Sequence, residues 1–260
     1  MKYDLMEGRA RYPSLDGRHV FITGGGSGIG RSLVEHFADQ NAKVTFVDIM
    51  RAASEKLCAD IAQKGSPRPE FHQLDLRDVA ALEGLIAEIG ARRGAIDVLV
   101  NNAGNDDRHT LKDVTADYFN DRMAVNLRHQ MFAAKAVWKQ MKENGGGSII
   151  NFTSITWMDA YGDCVCYVTA KGAVYAMTRA LATELGGDNI RVNSITPGWV
   201  MTERQIENWL DEAGERKIEE RQVLPGRVYP PDIARMALWL GSDESRMCSK
   251  QTFIVDAGWV

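Results

Sequence analysis

The chain has 260 residues, of which 45% are hydrophobic and 25% charged, and a formal net charge of −4. A globular composition without a basic excess excludes a general nucleic-acid or membrane-surface binder, and the length predicts one domain, two at most, with an ample core. Cys58, Cys164, Cys166 and Cys248 are too scattered for a disulfide framework and lack CxxC spacing, so neither a structural metal nor a redox pair is expected. The N-terminal stretch MKYDLMEGRARYPSL has no apolar run of the export type, and no run approaches the ~20 residues of a bilayer span. A cytoplasmic protein with no nucleic-acid or membrane partner is expected.

In chain order, short apolar runs rich in β-branched residues predict strands at 19–23 (HVFIT), 43–48 (KVTFVD), 70–75 (EFHQLD) and 96–101 (IDVLVN). Segments of helical period lie between them, at 29–40 and 78–92 for example. Repeating strand, helix and strand at this spacing is the βαβ unit, which implies a parallel sheet covered on both faces. Further strands are expected at 148–153, 190–195 and 252–256, separated by long helical patterns at about 115–143 and 164–186. No linker or repeat divides this alternation. The expected fold is a single α/β domain over 1–260, doubly wound in the Rossmann manner around a seven-stranded parallel sheet. Residues 199–231 break the pattern: charged, with Trp199 and Trp209, they fit no strand and read as a lid over a site or as a solvated helical hairpin.

The first strand runs directly into TGGGSGIG (23–30) and then a helix. No register of this turn satisfies G-x-G-x-x-G; the pattern is T-G-x-x-x-G-x-G, fixed by Thr23, Gly24, Gly28 and Gly30. Between a strand and a helix, such a turn lets a pyrophosphate approach the backbone and meet the helix N-terminal amides. Asp48 ends the second strand, placed to accept from an adenosine ribose and to repel a 2′-phosphate, which favours NAD over NADP. Arg51 leaves room for NADP as a poorer cofactor. Asp75 ends the third strand, and NNAG (101–104) ends the fourth with small and amide groups.

Tyr167 and Lys171 lie four apart on a predicted helix, hence on one face. A lysine beside a phenol favours the phenolate, so Tyr167 is a candidate general base towards an alcohol. Ser154, just past the fifth strand, is placed to hydrogen-bond the same oxygen, and Asn126 to hold a water linking the lysine to solvent. Each has a plainer reading: a surface pair, a strand-end cap, a helix residue.

Together, in this order and spacing, these motifs resemble the short-chain dehydrogenase/reductase family over residues 16 to 258, down to the thirteen positions from Ser154 to Tyr167 and the Pro197–Gly198 pair. The resemblance implies a sheet order of 3-2-1-4-5-6-7 and a homotetramer or homodimer paired through the long helical segments. It implies a catalytic set of Asn126, Ser154, Tyr167 and Lys171. Around the cofactor it implies Gly24, Ser27, Gly28, Ile29, Gly30, Asp48, Asp75, Leu76, Asn102, Ala103 and Gly104. On the nicotinamide side it adds Thr153, Pro197, Gly198, Val200 and Thr202, with Tyr167 and Lys171. The implied reaction is hydride transfer from a carbinol carbon to NAD.

The substrate must be read from residues ringing the pocket. The polar segment Asn105, Asp106, Asp107, Arg108 and His109, the stretch with Trp157, Asp159 and Asp163, and Trp199 suit a polyhydroxylated ring better than an apolar one. NNAGNDDRH, DVT at 113–115, VNLRH at 125–129, YPSL and the terminal DAGW are similar to short-chain aldose 1-dehydrogenases, which oxidise the C1 hydroxyl of a cyclic sugar to a lactone. Asn105, Ser154, Trp157, Asp163, Tyr167 and Trp199 are the expected substrate contacts. The alternatives are a 3-oxoacyl or hydroxysteroid oxidoreductase, or a non-catalytic nicotinamide sensor. The acidic balance speaks against a carrier-bound acyl substrate, the polar segments against the apolar pocket of a steroid or acyl chain, and the complete catalytic set against the sensor.

Overall fold

A computed structural model describes residues 10–260. Residues 1–9, in the stretch read above for an export signal, lie outside the described residues. Seven parallel strands, β1 (His19–Thr23), β2 (Lys43–Asp48), β3 (Glu70–Gln73), β4 (Val98–Asn101), β5 (Gly147–Phe152), β6 (Ile190–Pro197) and β7 (Thr252–Val255), form one sheet. Their order is β3-β2-β1-β4-β5-β6-β7, as the resemblance implied. Strand order reverses between β1 and β4, the place where open α/β sheets leave a crevice beyond their carboxyl ends.

Period-two alternation sends neighbouring side chains to opposite faces. Val20, Ile22, Val44, Phe46, Val98 and Val100 pack against α1 (Gly28–Asp39), α2 (Arg51–Gln63) and α9 (Pro230–Gly241). Phe21, Val47, Leu99, Ile149 and Val192 face α3 (Val79–Arg93), α5 (His129–Glu143) and α6 (Val165–Leu185). A fully buried Phe, Leu, Ile or Val contributes about 1.5–3 kcal/mol, which fixes the register that brings the strand ends to one edge.

Two segments depart from the sequence reading. The helix expected over 115–143 is broken: α4 (Ala116–Met123) passes into one π-helical turn, Ala124–Arg128, before α5 begins. Such turns arise where an extra residue is accommodated, and this one carries Asn126. Residues 199–231 form two short helices, α7 (Glu203–Trp209) and α8 (Glu212–Arg221). Thr202 Oγ1 caps α7 through the Gln205 amide at 3.2 Å, and Asp211 Oδ1 caps α8 through the Gly214 amide at 2.8 Å. Beneath them Ile155, Met201, Ile218 and Trp259 make a small separate core, flanked by Trp199 and Leu210. No helix among the described residues is long and apolar enough to cross a membrane.

Candidate active site

A cavity of about 920 Å³ runs over the carboxyl edge of the sheet, from the glycine turn to α7 and α8. All the residues expected around the cofactor line it: Gly24, Ser27, Gly28, Ile29, Gly30, Asp48, Asp75, Leu76, Asn102, Ala103, Gly104, Thr153, Tyr167, Lys171, Pro197, Gly198, Val200 and Thr202. Whether they fit a dinucleotide is decided by the turn. A Cβ on Gly30 would stand 1.7 Å from the Gly24 carbonyl oxygen, and Gly28 has φ +51. Gly24, Gly28 and Gly30 therefore admit no side chain without strain, and their backbone lies against the cavity. The first turn of α1 carries no acidic residue to compete for its amides. Asp48 is braced by the amides of Gly26 and Met50, both at 2.8 Å, which aims a carboxylate at the position an adenosine ribose requires. Asn102 stitches β4 to β1, its Nδ2 donating to the carbonyls of Thr23 at 3.1 Å and Gly24 at 3.0 Å. Arg77 holds the Asp75 carboxylate at 2.6 Å, which lowers its pKa. These residues fit a dinucleotide.

Tyr167, Lys171 and Ser154 converge in mid-cavity. The Lys171 ammonium, fully buried, donates to the Phe152 carbonyl at 2.8 Å and lies 5.5 Å from the Tyr167 ring centroid. Ser154 Oγ accepts from the Thr156 amide at 3.2 Å and hydrogen-bonds Tyr167. The expectation that Lys171 lowers the tyrosine pKa is not met in the protein alone. Burial is the main cause of a raised Tyr167 pKa, with Asp106 pushing the same way and the Ser154 hydrogen bond opposing. Burial also pulls Lys171 down to about 8, with Asp106 opposing. Burial sets the direction at both groups, and the lysine donates to a backbone carbonyl and not to the phenol.

Asn126 is fully buried and does not line the cavity. Its Oδ1 accepts from the Asn105 amide at 2.7 Å, and its Nδ2 donates to the carbonyls of Asn105 at 3.0 Å and Arg122 at 3.1 Å. Both amide hydrogens are thus engaged. The side chain thereby pins the backbone just after NNAG.

Beyond Tyr167 the cavity is walled by side chains. Asn105, Ser154, Tyr167 and Trp199 line it as expected; Trp157 and Asp163 do not. Trp157 ends a single 3₁₀ turn, Ile155–Trp157, that rotates it away onto Tyr175 of α6, with ring centroids 4.9 Å apart. Asp163 is exposed; its carbonyl accepts from the His109 amide at 2.8 Å and its side chain bonds Tyr161. In their place stand Arg108, with its guanidinium 4.8 Å from the Tyr161 ring and 5.0 Å from the Trp209 ring, and Asp106, which accepts from Gln205 Nε2 at 2.9 Å. Asp159 pairs with Arg221 and accepts from the Trp259 indole at 3.3 Å.

A family model described as enoyl-(acyl carrier protein) reductase matches residues 24–260. The chain belongs to the short-chain dehydrogenase/reductase family. It is 49% identical to a D-xylose 1-dehydrogenase of Caulobacter vibrioides, covering 96% of this chain and 98% of the relative. It is 43% identical to a probable galactose dehydrogenase of Rhizobium meliloti, covering 96% and 97%. Among solved structures, a 7α-hydroxysteroid dehydrogenase complexed with NADH and 7-oxo glycochenodeoxycholic acid superposes with a TM-score of 0.90 at 30% identity, over 96% of each chain.

As a short-chain dehydrogenase, this protein builds its inner wall partly from residues that the sequence reading did not name as substrate contacts. Tyr161 and Trp209 flank Arg108, and Trp259, the penultimate residue, is 7% exposed and faces the cavity. Arg204 reaches Asp107 at 2.6 Å across 97 residues of chain. The signal available was the tryptophan and charge of residues 199–231, which fit no strand, and the run of charged residues just after NNAG. The cysteines are free, and Cys164 and Cys166 are buried. Arg108 donates to Cys164 Sγ at 3.4 Å, but burial pushes that thiol up, consistent with packing.

Proposed function

We propose that this protein is an NAD-dependent aldose 1-dehydrogenase that oxidises the C1 hydroxyl of a cyclic pentose or galactose-like sugar to the aldonolactone. The observation that carries this reading is the 49% identity, end to end, with a D-xylose 1-dehydrogenase. The polar and aromatic wall beyond Tyr167 supports it, because a sterol or acyl chain would leave Asp106, Arg108 and Asp159 buried against hydrocarbon.

Ser154 and Tyr167 would hold the C1 hydroxyl between them, and Tyr167 would take its proton as the C1 carbon becomes a carbonyl. NAD, when bound, supplies the hydride acceptor and a cationic ring whose charge favours the phenolate. Lys171 would add its own charge beside the tyrosine and bind the nicotinamide ribose. Asp48 would hold the adenosine ribose and disfavour a 2′-phosphate, leaving NADP the poorer cofactor. Asn126 would fix Asn105 and hence the rim of the sugar site. The α7–α8 segment would act as its lid, tied down by Arg204, Gln205, Trp209 and Arg221.

The chain would act as a homodimer or homotetramer in the cytoplasm. Met131 and Trp138, two turns apart on α5, are 42% and 40% exposed and offer an apolar stripe for a second copy. The four free cysteines suit a reducing compartment.

The test is an initial-rate screen with NAD, then NADP, on D-xylose, L-arabinose, D-galactose, D-glucose and L-fucose beside a hydroxysteroid and a 3-hydroxyacyl ester. Saturable turnover of one or two aldoses, faster with NAD and with lactone as product, is expected. Activity confined to the apolar alcohols would overturn the reading.

A further inference from the structure

Resting on the sugar reading above, we propose that Asp106 is a specificity-determining residue: its Oδ1 accepts a hydrogen bond from a ring hydroxyl close to the reacting C1 hydroxyl. Asp106 sits two positions past NNAG, lines the cavity, and has a side chain only 20% exposed. Its charge acts on both reacting groups. After burial it is the largest influence on Tyr167, and it is the charge that opposes burial at Lys171. It shares the cavity with Ser154 and Tyr167, the two side chains between which the carbinol must bind.

Its own partners leave one oxygen available. Oδ2 accepts from Gln205 Nε2 at 2.9 Å, with Arg108 Nη2 at 3.7 Å. Oδ1 has only Arg204 Nη2 at 3.5 Å, and that nitrogen is drawn to Asp107 Oδ1 at 2.6 Å. Arg108 is held by the rings of Tyr161 and Trp209 and does not close on Oδ1. Asp159, by contrast, already has Arg221 and the Trp259 indole. A partly buried carboxylate oxygen without a close donor calls for one from the ligand. With Arg108 and Arg204 already beside it, a cationic group gains little there, whereas a neutral hydroxyl fits. An acceptor at this place, in a cavity also lined by Asn105, Ser154 and Trp199, matches a polyhydroxylated ring.

The test is a cycle of mutation and substrate change on the whole enzyme with NAD. kcat/KM is measured for the wild type and Asp106→Asn on the best aldose of the screen and on its 2-, 3- and 4-deoxy analogues. The expected result is that one deoxy analogue and the Asp106→Asn variant each lose on the order of 10- to 100-fold. Combined, they lose no more than either alone, because both remove the same hydrogen bond. KM for NAD stays unchanged, a readout that a distorted loop would move. Losses that multiply at every hydroxyl position, an unchanged variant, or a raised NAD KM with equal loss on all sugars would each overturn the proposal. A wild type silent on every aldose would instead overturn the sugar reading itself, and this proposal with it.

Discussion

The two ends of the cavity are built from different materials. At the cofactor end the surface is backbone: glycines that admit no Cβ, amides that brace Asp48, and carbonyls of Thr23 and Gly24 tied by Asn102. At the sugar end it is side chain: Asp106 with Gln205, Arg204 with Asp107, Arg221 with Asp159, and Arg108 between two aromatic rings. A backbone surface is set by strand register and tolerates no substitution, whereas a wall of half-exposed ion pairs can be exchanged residue by residue without disturbing the sheet. That contrast fits a family in which one cofactor site serves many substrates.

The sharpest separation comes from the chemistry between the ends. Tyr167→Phe removes the base while leaving both walls in place. Turnover should fall by at least 10²- to 10⁴-fold, with NAD binding, followed by fluorescence quenching, within about twofold of wild type. Unchanged turnover would remove Tyr167 from the mechanism. At the cofactor end Gly30→Ala forces a methyl against the Gly24 carbonyl. KM for NAD should rise roughly 100-fold or the protein should fail to fold; a variant with wild-type NAD affinity would show that the turn is not a rigid backbone surface.

A third prediction concerns what supports that end. His129 is fully buried, with Nε2 3.2 Å from the Ala103 carbonyl, and burial holds its pKa at about 3. Its unfolded-state value is about 6.5, so the unfolded chain binds the extra proton first. Stability supplied by neutral His129 is complete above pH 6.5 and is lost as pH falls towards 3. Between pH 6.5 and 5 the loss should be about 1–2 kcal/mol, read by urea melts. His19, also lowered by burial, acts in the same sense; Glu70, held at about 2, enters only below about pH 4.5. His129→Gln should flatten part of this slope, and an unaltered slope would assign it elsewhere. The smallest effect belongs to the sugar wall. Arg221→Ala frees Asp159 at a half-exposed pair, so sugar KM should rise by about fivefold or less, with NAD KM unchanged. A shift in NAD KM would mean the two ends are coupled.

The same contrast explains what the sequence disclosed. The succession of strands and helices, the glycine turn and the acid ending β2 follow from local signals, whereas the sheet order with its switch between β1 and β4, and residues such as Thr153, Pro197 and Thr202, came only with the family resemblance. Tyr167 and Lys171 were legible because four residues on a helix is itself a distance. Trp157 was misplaced because a single 3₁₀ turn decides on which side of α6 its ring falls, and periodicity does not register one turn. The broken helix at Asn126 was hidden for a similar reason, since a π turn adds one residue to an otherwise helical pattern. Arg204 meeting Asp107, and Trp259 closing the wall, are contacts between segments of no regular period, far apart in the chain.

The central claim is that hydride leaves C1 of a sugar, and an aldose deuterated at C1 tests it most directly. The best aldose of the screen, labelled at C1, is turned over with NAD, and the reduced cofactor and the sugar product are weighed by mass spectrometry. The account predicts one deuterium in the reduced nicotinamide and an unlabelled aldonolactone. Deuterium retained in the product, with oxidation at another carbon, would contradict it.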